Sequence, residues 1–220
     1  PKVTEIGDYI FRACFIDSFQ GEGMAHFAYD VLGLRRVAIL KDTKNDYSVG
    51  LADFFDKTFK AIGGTVVDIK SYSEGDIEFR AQLTSLKNQN PDGLFIPGYY
   101  TEVGLIGRQA REMGLTVPLF GGDGWDSHKT IDIGGAAMEN TYFSTHYAED
   151  NPAPEIQNFI QKYKAKYNAT PDAMSVLGYD AAQMMFEAIR QAGSTDAKAI
   201  RDKLAQLKNF QGVSGQISMD

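Results

Sequence analysis

The side chains best suited to chemistry follow three predicted strands as clusters of acids, amides and aromatics. In chain order, these clusters are Asp42 with Asn45, Asp46 and Tyr47; Gly98 to Glu102; and Gly121 to Asp126. Ligands of open parallel sheets bind outside the carboxyl ends of the strands, which is where these clusters would lie. A carboxylate flanked by glycines, with aromatic faces in neighbouring loops, suits a small cation such as an ammonium through charge pairing and cation–π contact. Asp123 is the first candidate for that carboxylate.

Each cluster also has a structural interpretation. Asp42 more commonly turns the chain or caps the next helix than binds a ligand. Tyr99 and Tyr100 are adjacent and point in different directions, so one packs and the other faces the cleft. The run 121–124 could be only a flexible turn. Trp125 serves equally well as a packed anchor or as a platform for a ligand.

The sequence offers little support for catalysis or metal binding. Three histidines lie far apart at no metal-ligand spacing: His26, His128 and His146. The single cysteine, Cys14, falls in a predicted strand, where a buried and inert thiol is expected. Nucleophile-elbow, phosphate-loop and dinucleotide fingerprints are absent from the sequence. We assign no catalytic residue, metal ligand or cofactor, although a carboxylate-pair enzyme using Asp42 and Asp123 stays open as an alternative.

Composition excludes further classes. The 220 residues are 43% hydrophobic, which is enough for a packed core, and carry a formal charge of −7. The basic residues are scattered, so a nucleic-acid partner is not expected. No run approaches the roughly 20 apolar residues of a membrane span, so direct membrane insertion is not expected either.

The pattern of elements predicts an α/β fold with a doubly wound, mostly parallel sheet. Short apolar runs read as strands at 37–41, 65–69, 93–97 and 117–120, with a closing strand at 141–145. The first four alternate with amphipathic helical segments at the spacing of βα units. Upstream, Tyr9 to Phe15 reads as a further strand. It is followed by a helix with Met24, Phe27, Ala28, Val31 and Leu32 on one side, ended by Gly33.

The remaining segment is different in kind. Residues 147–220 read as three amphipathic helices followed by one strand, Gln216 to Ser218. Three apolar helix faces need a sheet to cover them, and one strand does not make a sheet. We therefore expect exposed apolar helix surface here, to be covered by a segment outside this sequence or by a second copy through self-association.

Several motifs carry a family resemblance across almost the whole chain. They are Val3 to Arg12, Phe19 to Gly21, Asn45 to Ala52, Phe95 to Glu102, Gly121 to Ser127, Pro171 to Ala173 and Gly178 to Ala181. In this order they resemble the branched-chain amino acid substrate-binding proteins of ABC transporters, a group of the type I periplasmic binding proteins. The resemblance implies a two-lobed receptor, with residues 14–146 as the complete second lobe and 147–220 as an incomplete, returning part of the first.

The resemblance also implies a ligand and a site. A neutral, branched-chain amino acid would be held through its ammonium by Asp123, beside Tyr47 and Tyr99. Trp125 and Met174 are added as further candidate contacts. The implied partners are ABC permease subunits in the membrane, and the implied location is periplasmic or extracytoplasmic, with lipid anchoring left open for a longer parent chain.

Relatives hold the ligand carboxylate through a segment that would precede this sequence, so the 220-residue chain is expected to bind an amino acid weakly or not at all. Two other function classes stay open. One is a ligand-sensing domain of a regulator or receptor with the same fold, and the other is a hydrolase-like α/β enzyme.

Overall fold

The computed structural model describes residues 2–219, which form two compact units. The first, here called the sheet unit, is Ile16–Thr145. The second, here called the helical unit, combines the chain up to Phe15 with the chain from His146 onward. The assignment of residues 14–146 and 147–220 to lobes of a larger receptor stays a prediction.

A five-stranded parallel sheet forms the centre of the sheet unit. Its strands are β1 (Arg36–Asp42), β2 (Thr65–Tyr72), β3 (Gly93–Phe95), β4 (Leu119–Gly121) and β5 (Thr141–Phe143). Their order is β2-β1-β3-β4-β5, and every neighbouring pair is parallel. The chain thus moves outward from β1 in one direction and then in the other, which confirms the predicted doubly wound α/β fold.

Helices cover both faces of this sheet. They are α1 (Asp17–His26), α2 (Asp46–Ala61), α3 (Arg80–Lys87), α4 (Tyr100–Glu112) and α5 (His128–Gly134). Successive residues of β1 are fully buried and alternate between two apolar clusters, Val37 and Ile39 in one, Ala38 and Leu40 in the other. Because side chains of a strand alternate between faces, a strand buried on both sides reads as a continuous apolar run. This explains why β1 could be predicted from the sequence.

The predicted strand over Tyr9 to Phe15 is wrong, because these residues form turns and irregular chain. Phe11 and Ala13 instead pack against an apolar cluster that includes the helix residues Met184 and Leu204. Their apolar side chains are thus partly covered without any strand pairing. The prediction of a buried Cys14 fails with the strand, since Cys14 is exposed.

The helical segment before Gly33 does not bury all the residues of its predicted apolar face. After α1 the chain makes a π-helical turn over Phe27–Val31, in which the Leu32 amide donates to the Phe27 carbonyl at 3.0 Å. This wider turn holds an extra residue, which shifts the register of the following side chains. Ala28 stays buried, but Val31 is 70% exposed, contrary to the predicted face. Gly33 ends the segment at φ +69°, a left-handed conformation that favours glycine.

The helical unit contains three α-helices and a two-stranded hairpin. They are α6 (Pro154–Tyr167), α7 (Ala173–Ala192), α8 (Ala197–Ala205), β6 (Phe210–Gly212) and β7 (Gly215–Ile217). The hairpin is antiparallel, so the single strand predicted at Gln216 to Ser218 is one of two. Buried Asp180 of α7 holds the hairpin turn: its carboxylate accepts from the Val213 and Ser214 amides at 2.8 Å each.

Part of the apolar surface of this unit is open to solvent, as expected. On α7 the exposed apolar side chains are Met174, Tyr179, Met185, Phe186 and Ile189. The opposite face of the helix, which includes Val176, Met184 and Ala188, is buried. Within the described part of the chain, no helix combines the length and hydropathy needed to span a membrane.

Candidate functional site

Three loops of the sheet unit meet at the carboxyl ends of adjacent strands. The loop after β1 leads to Tyr47, the loop after β3 carries Tyr99, and the loop after β4 carries Asp123. Because β1, β3 and β4 are neighbours in a parallel sheet, their carboxyl ends share one edge. The fold therefore brings together residues that are far apart in sequence.

A hydrogen bond joins two of these loops directly. The Tyr47 hydroxyl donates to Asp123 Oδ1 at 3.0 Å and accepts from the Gly124 amide at 3.2 Å. Tyr47 is held in the first turn of α2, where the Asn45 side chain caps the helix by accepting from the Tyr47 amide at 3.0 Å. The hydroxyl position is thus fixed both from its own helix and from the loop that it contacts.

Tyr99 brings the third loop into contact. Its ring lies 5.2 Å from the Tyr47 ring, centroid to centroid, at an interplanar angle of 31°. Tyr99 is 43% exposed, whereas the adjacent Tyr100 is partly buried and has the Lys129 ammonium 5.7 Å from its ring centroid. Of the two tyrosines, Tyr99 therefore presents its side chain to solvent beside Tyr47.

The surroundings of both phenols favour their neutral form even more than water does. Burial, followed by the negative charge of Asp123, raises the pKa of Tyr47 well above its usual value. The same two causes, in the same order, raise the pKa of Tyr99, with a smaller contribution from Asp17. The cluster consequently combines one central carboxylate with two neutral aromatic rings, an arrangement that favours a cation over an anion.

The glycines of the third loop are required by close packing. A Cβ on Gly121 would lie 2.3 Å from the Trp125 indole nitrogen, and one on Gly122 would lie 2.3 Å from the Tyr47 hydroxyl. A Cβ on Gly124 would lie 2.7 Å from the Gly98 carbonyl oxygen. Glycine here permits close approach of the loops, which contradicts the alternative of a merely flexible turn.

Trp125 is a packed anchor of this loop. It is 1% exposed, and its indole nitrogen donates to the Ile96 carbonyl at 2.9 Å. The Thr130 hydroxyl in turn donates to the Trp125 carbonyl at 2.6 Å. Because its ring is enclosed, Trp125 supports the loop from within. The structure therefore favours the role of a packed anchor over that of a platform for a ligand.

Asp42 performs the structural role expected of it. It is 4% exposed, and its Oδ1 accepts from the Lys44 amide at 2.9 Å and from the Glu74 amide at 3.2 Å. Its own amide donates to the buried Ser48 hydroxyl at 2.9 Å, and that hydroxyl donates to the Pro97 carbonyl. The Asp42 carboxylate therefore stabilises two turns of the chain, which argues against a role for it as one of a pair of catalytic carboxylates.

Sequence reasoning missed Gln20 of α1, which reaches the same loop. Gln20 is 3% exposed, and its amide oxygen would be 2.7 Å from a Cβ on Gly122. The helix can approach this closely because Gly21 lies against α2, where a Cβ would be 2.6 Å from that of Phe54. The only sequence signal was its place in the motif Phe19 to Gly21.

Met174 lies in the helical unit, in the first turn of α7, and is 53% exposed. The turn is fixed by Asp172, whose Oδ1 accepts from the Ser175 amide at 2.8 Å. A ligand contact by Met174 stays a prediction. Among residues 2–219, no group of three or more histidine, cysteine or carboxylate side chains is arranged to hold a metal ion.

Comparison with known proteins gives consistent matches over nearly the whole chain. A family model described as periplasmic binding protein matches residues 4–220. A Leu/Ile/Val-binding protein homolog from Brucella melitensis is 33% identical over 208 residues, covering 92% of this chain and 56% of the relative. The chain thus spans little more than half the length of that curated relative.

Comparison with solved structures also gives matches over nearly the whole chain. A leucine-binding protein from Thermotoga maritima is 43% identical with a TM-score of 0.92, covering 99% of this chain and 62% of that one. A branched-chain amino acid transporter substrate-binding protein from Streptococcus pneumoniae, solved in complex with isoleucine, is 34% identical with the same TM-score and the same coverage.

Proposed function

The chain belongs to the periplasmic binding protein family, and from that premise we propose that its sheet unit binds the ammonium group of a neutral, branched-chain amino acid. Asp123 supplies the negative charge, and Tyr47 and Tyr99 supply aromatic faces beside it. The observation that carries the proposal is the hydrogen bond from Tyr47 to Asp123, which fixes a partly buried carboxylate next to two rings.

The physical basis is charge complementarity in a partly dehydrated setting. A carboxylate removed from bulk water attracts an ammonium more strongly than an exposed one does, because screening is weaker. The Tyr99 ring, which is accessible, adds a cation–π surface. Trp125 supports the loop, and Met174 is retained as a proposed side-chain contact.

The proposed role is that of the receptor of an ABC importer, acting without catalysis outside the cytoplasm and delivering its ligand to permease subunits. Support comes from the relatives, which include Leu/Ile/Val-binding and leucine-binding proteins. We further propose that the sheet unit is one lobe of a two-lobed receptor and that the helical unit belongs to the other.

The test uses ligands that separate the two ends of an amino acid. Isoamylamine keeps the ammonium and the side chain of leucine, whereas 4-methylpentanoate keeps the carboxylate and the side chain. Saturation-transfer NMR detects binding in the millimolar range, which suits a chain expected to bind weakly. Leucine and isoamylamine should both give signals with the 220-residue chain, and 4-methylpentanoate should not.

Asp123→Asn should weaken the binding of both amines by about tenfold or more, since hydrogen bonds to charged groups contribute about 1.5–3 kcal/mol. Asp132→Asn makes the same charge change on an exposed position of α5 and serves as the control. Equal signals from 4-methylpentanoate and isoamylamine, or an Asp123→Asn chain that binds amines normally, would refute the proposed site.

A further inference from the structure

Gln20 is a buried amide without a hydrogen-bond partner among residues 2–219. The residue is 3% exposed, and neither its amide oxygen nor its amide nitrogen is bonded to any described part of the chain. Buried polar side chains are normally hydrogen-bonded, because an unpaired one loses its water contacts without replacement. The second buried glutamine, Gln109, follows the rule: it accepts from the Phe79 amide at 2.7 Å and donates to the Ile77 carbonyl at 2.8 Å.

The unpaired amide lies beside the Tyr47 hydroxyl. The Gln20 amide oxygen and the Tyr47 hydroxyl oxygen pack against the same point on Gly122, since a Cβ there would lie 2.7 and 2.3 Å from them. Tyr47 has one hydroxyl proton, which it donates to Asp123. In this arrangement the proton goes to the carboxylate because a charged acceptor forms the stronger bond.

An ammonium bound to Asp123 would change which of the two acceptors, Asp123 or Gln20, is the better partner for the Tyr47 hydroxyl. Pairing neutralises part of the carboxylate charge and reorients its oxygens toward the ligand, which weakens Asp123 as an acceptor for Tyr47. The phenol keeps its proton at neutral pH, as tyrosine ordinarily does, so that proton then needs another hydrogen-bond acceptor. The amide oxygen of Gln20 is an uncharged acceptor that lies against the same glycine.

We propose that Gln20 is a positioning residue of the ligand site, whose amide oxygen accepts a hydrogen bond from the Tyr47 hydroxyl when Asp123 engages a cation. The proposal rests on the proposed function for the identity of that cation. Gln20 would keep the Tyr47 ring in place beside Tyr99 while the carboxylate turns, so that the aromatic face is retained through binding.

The first test needs no ligand. Gln20→Met removes the amide and keeps the volume, so it should raise the melting temperature of the otherwise unchanged chain by about 2–4 °C, because an unpaired buried amide is lost. In an Asp123→Ala background, where Tyr47 has lost its carboxylate, the same change should lower the melting temperature. Gln109→Met, which removes a fully bonded amide, should lower it in both backgrounds.

The second test measures ligand binding. Gln20→Met should weaken the affinity for isoamylamine by about two- to tenfold, the effect of one neutral hydrogen bond. In a Tyr47→Phe background, which lacks the hydroxyl proton, Gln20→Met should cause no further loss. This coupling distinguishes positioning through Tyr47 from a general packing effect, which would persist in both backgrounds.

Each outcome decides the proposal. A shift of the same sign and size in both Asp123 backgrounds overturns it, as does a Gln20→Met chain that fails to unfold cooperatively. The proposal is also overturned if Gln20→Met weakens the affinity in the Tyr47→Phe background by as much as it does in the unchanged chain. If the unchanged chain binds neither leucine nor isoamylamine, the proposed function fails, and the melting temperatures still decide the role of Gln20.

Discussion

Gly122→Ala tests whether the site depends on the close approach of its loops. Gly122 has φ −101° and ψ −172°, an extended conformation that alanine adopts without strain. Any effect of the substitution must therefore come from the added methyl group. That methyl would lie 2.3 Å from the Tyr47 hydroxyl and 2.7 Å from both the Gln20 amide oxygen and Leu51 Cδ2.

The expected magnitude follows from these distances. Non-bonded carbon atoms prefer separations of about 3.5–4.0 Å, so Leu51 Cδ2 must move by about 1 Å, and the closer Tyr47 hydroxyl must also be displaced. Inserting a methyl group into a packed interior costs about 1–3 kcal/mol. For a chain of this size each kcal/mol lowers the melting temperature by about 2–4 °C. The Tyr47 hydroxyl, which is the nearest atom, should lose its bond to Asp123.

Thermal unfolding followed by far-UV circular dichroism measures the stability, and near-UV dichroism reports the tyrosine environment. Gly50→Ala is the matched control, because it lies within α2 and its Cβ would have no neighbour within 4 Å. Alanine is the better helix former, so this control should be neutral or stabilising by up to about 1 kcal/mol.

The reasoning is refuted if Gly122→Ala melts at the same temperature as Gly50→Ala with an unchanged tyrosine signal. That result would mean that the loop relaxes without cost and that the contact with Tyr47 is loose. Normal affinity for isoamylamine in Gly122→Ala would separately exclude any dependence of binding on the Tyr47–Asp123 arrangement.

Two further predictions concern stability. Asp180→Ala should lower the free energy of unfolding by roughly 2–4 kcal/mol in urea titration, because it leaves the amides of the hairpin turn without their acceptor. An unchanged midpoint would show that the turn does not depend on Asp180. Burial, reinforced by Asp42 and Glu102, raises the pKa of Tyr72. Above pH of about 10 the unfolded chain releases this proton while the folded chain keeps it, so stability falls as pH rises. Tyr72→Phe should make that fall shallower between about pH 10 and 11.5 and leave the pH dependence near neutrality unchanged. Parallel curves throughout would contradict the prediction.

The strands and helices of the sheet unit were predictable because burial imposes a pattern on them. β1 is buried on both faces and reads as an apolar run, and α4 repeats its apolar residues at helical spacing. The segment from Tyr9 to Phe15 shows the limit. Its apolar residues mimic a strand, but the helix residues that cover Phe11 lie more than 170 positions away in the sequence. A local apolar pattern shows neither what will cover a side chain nor how fully, and Tyr9 and Ile10 in this segment are exposed.

The sequence also indicated in part where the candidate site lies. The topology of a parallel sheet places strand ends together, so the loops carrying Tyr99 and Asp123 could be identified. The enclosure of Trp125 could not be, because it depends on how closely Gly121 lets the indole approach the backbone. Gln20 was missed for a similar reason, since its access to the loop depends on helix packing at Gly21.

The bond between Tyr47 and Asp123 joins residues 76 positions apart and closes only when β1 and β4 are both in place around β3. Contacts of such long range cost loop-closure entropy before they contribute energy, which slows their formation. The tyrosine signal should therefore be among the last to recover when the chain refolds from denaturant. Ligand capture would then be confined to chains whose sheet is complete, and a trapped intermediate would hold no competent site.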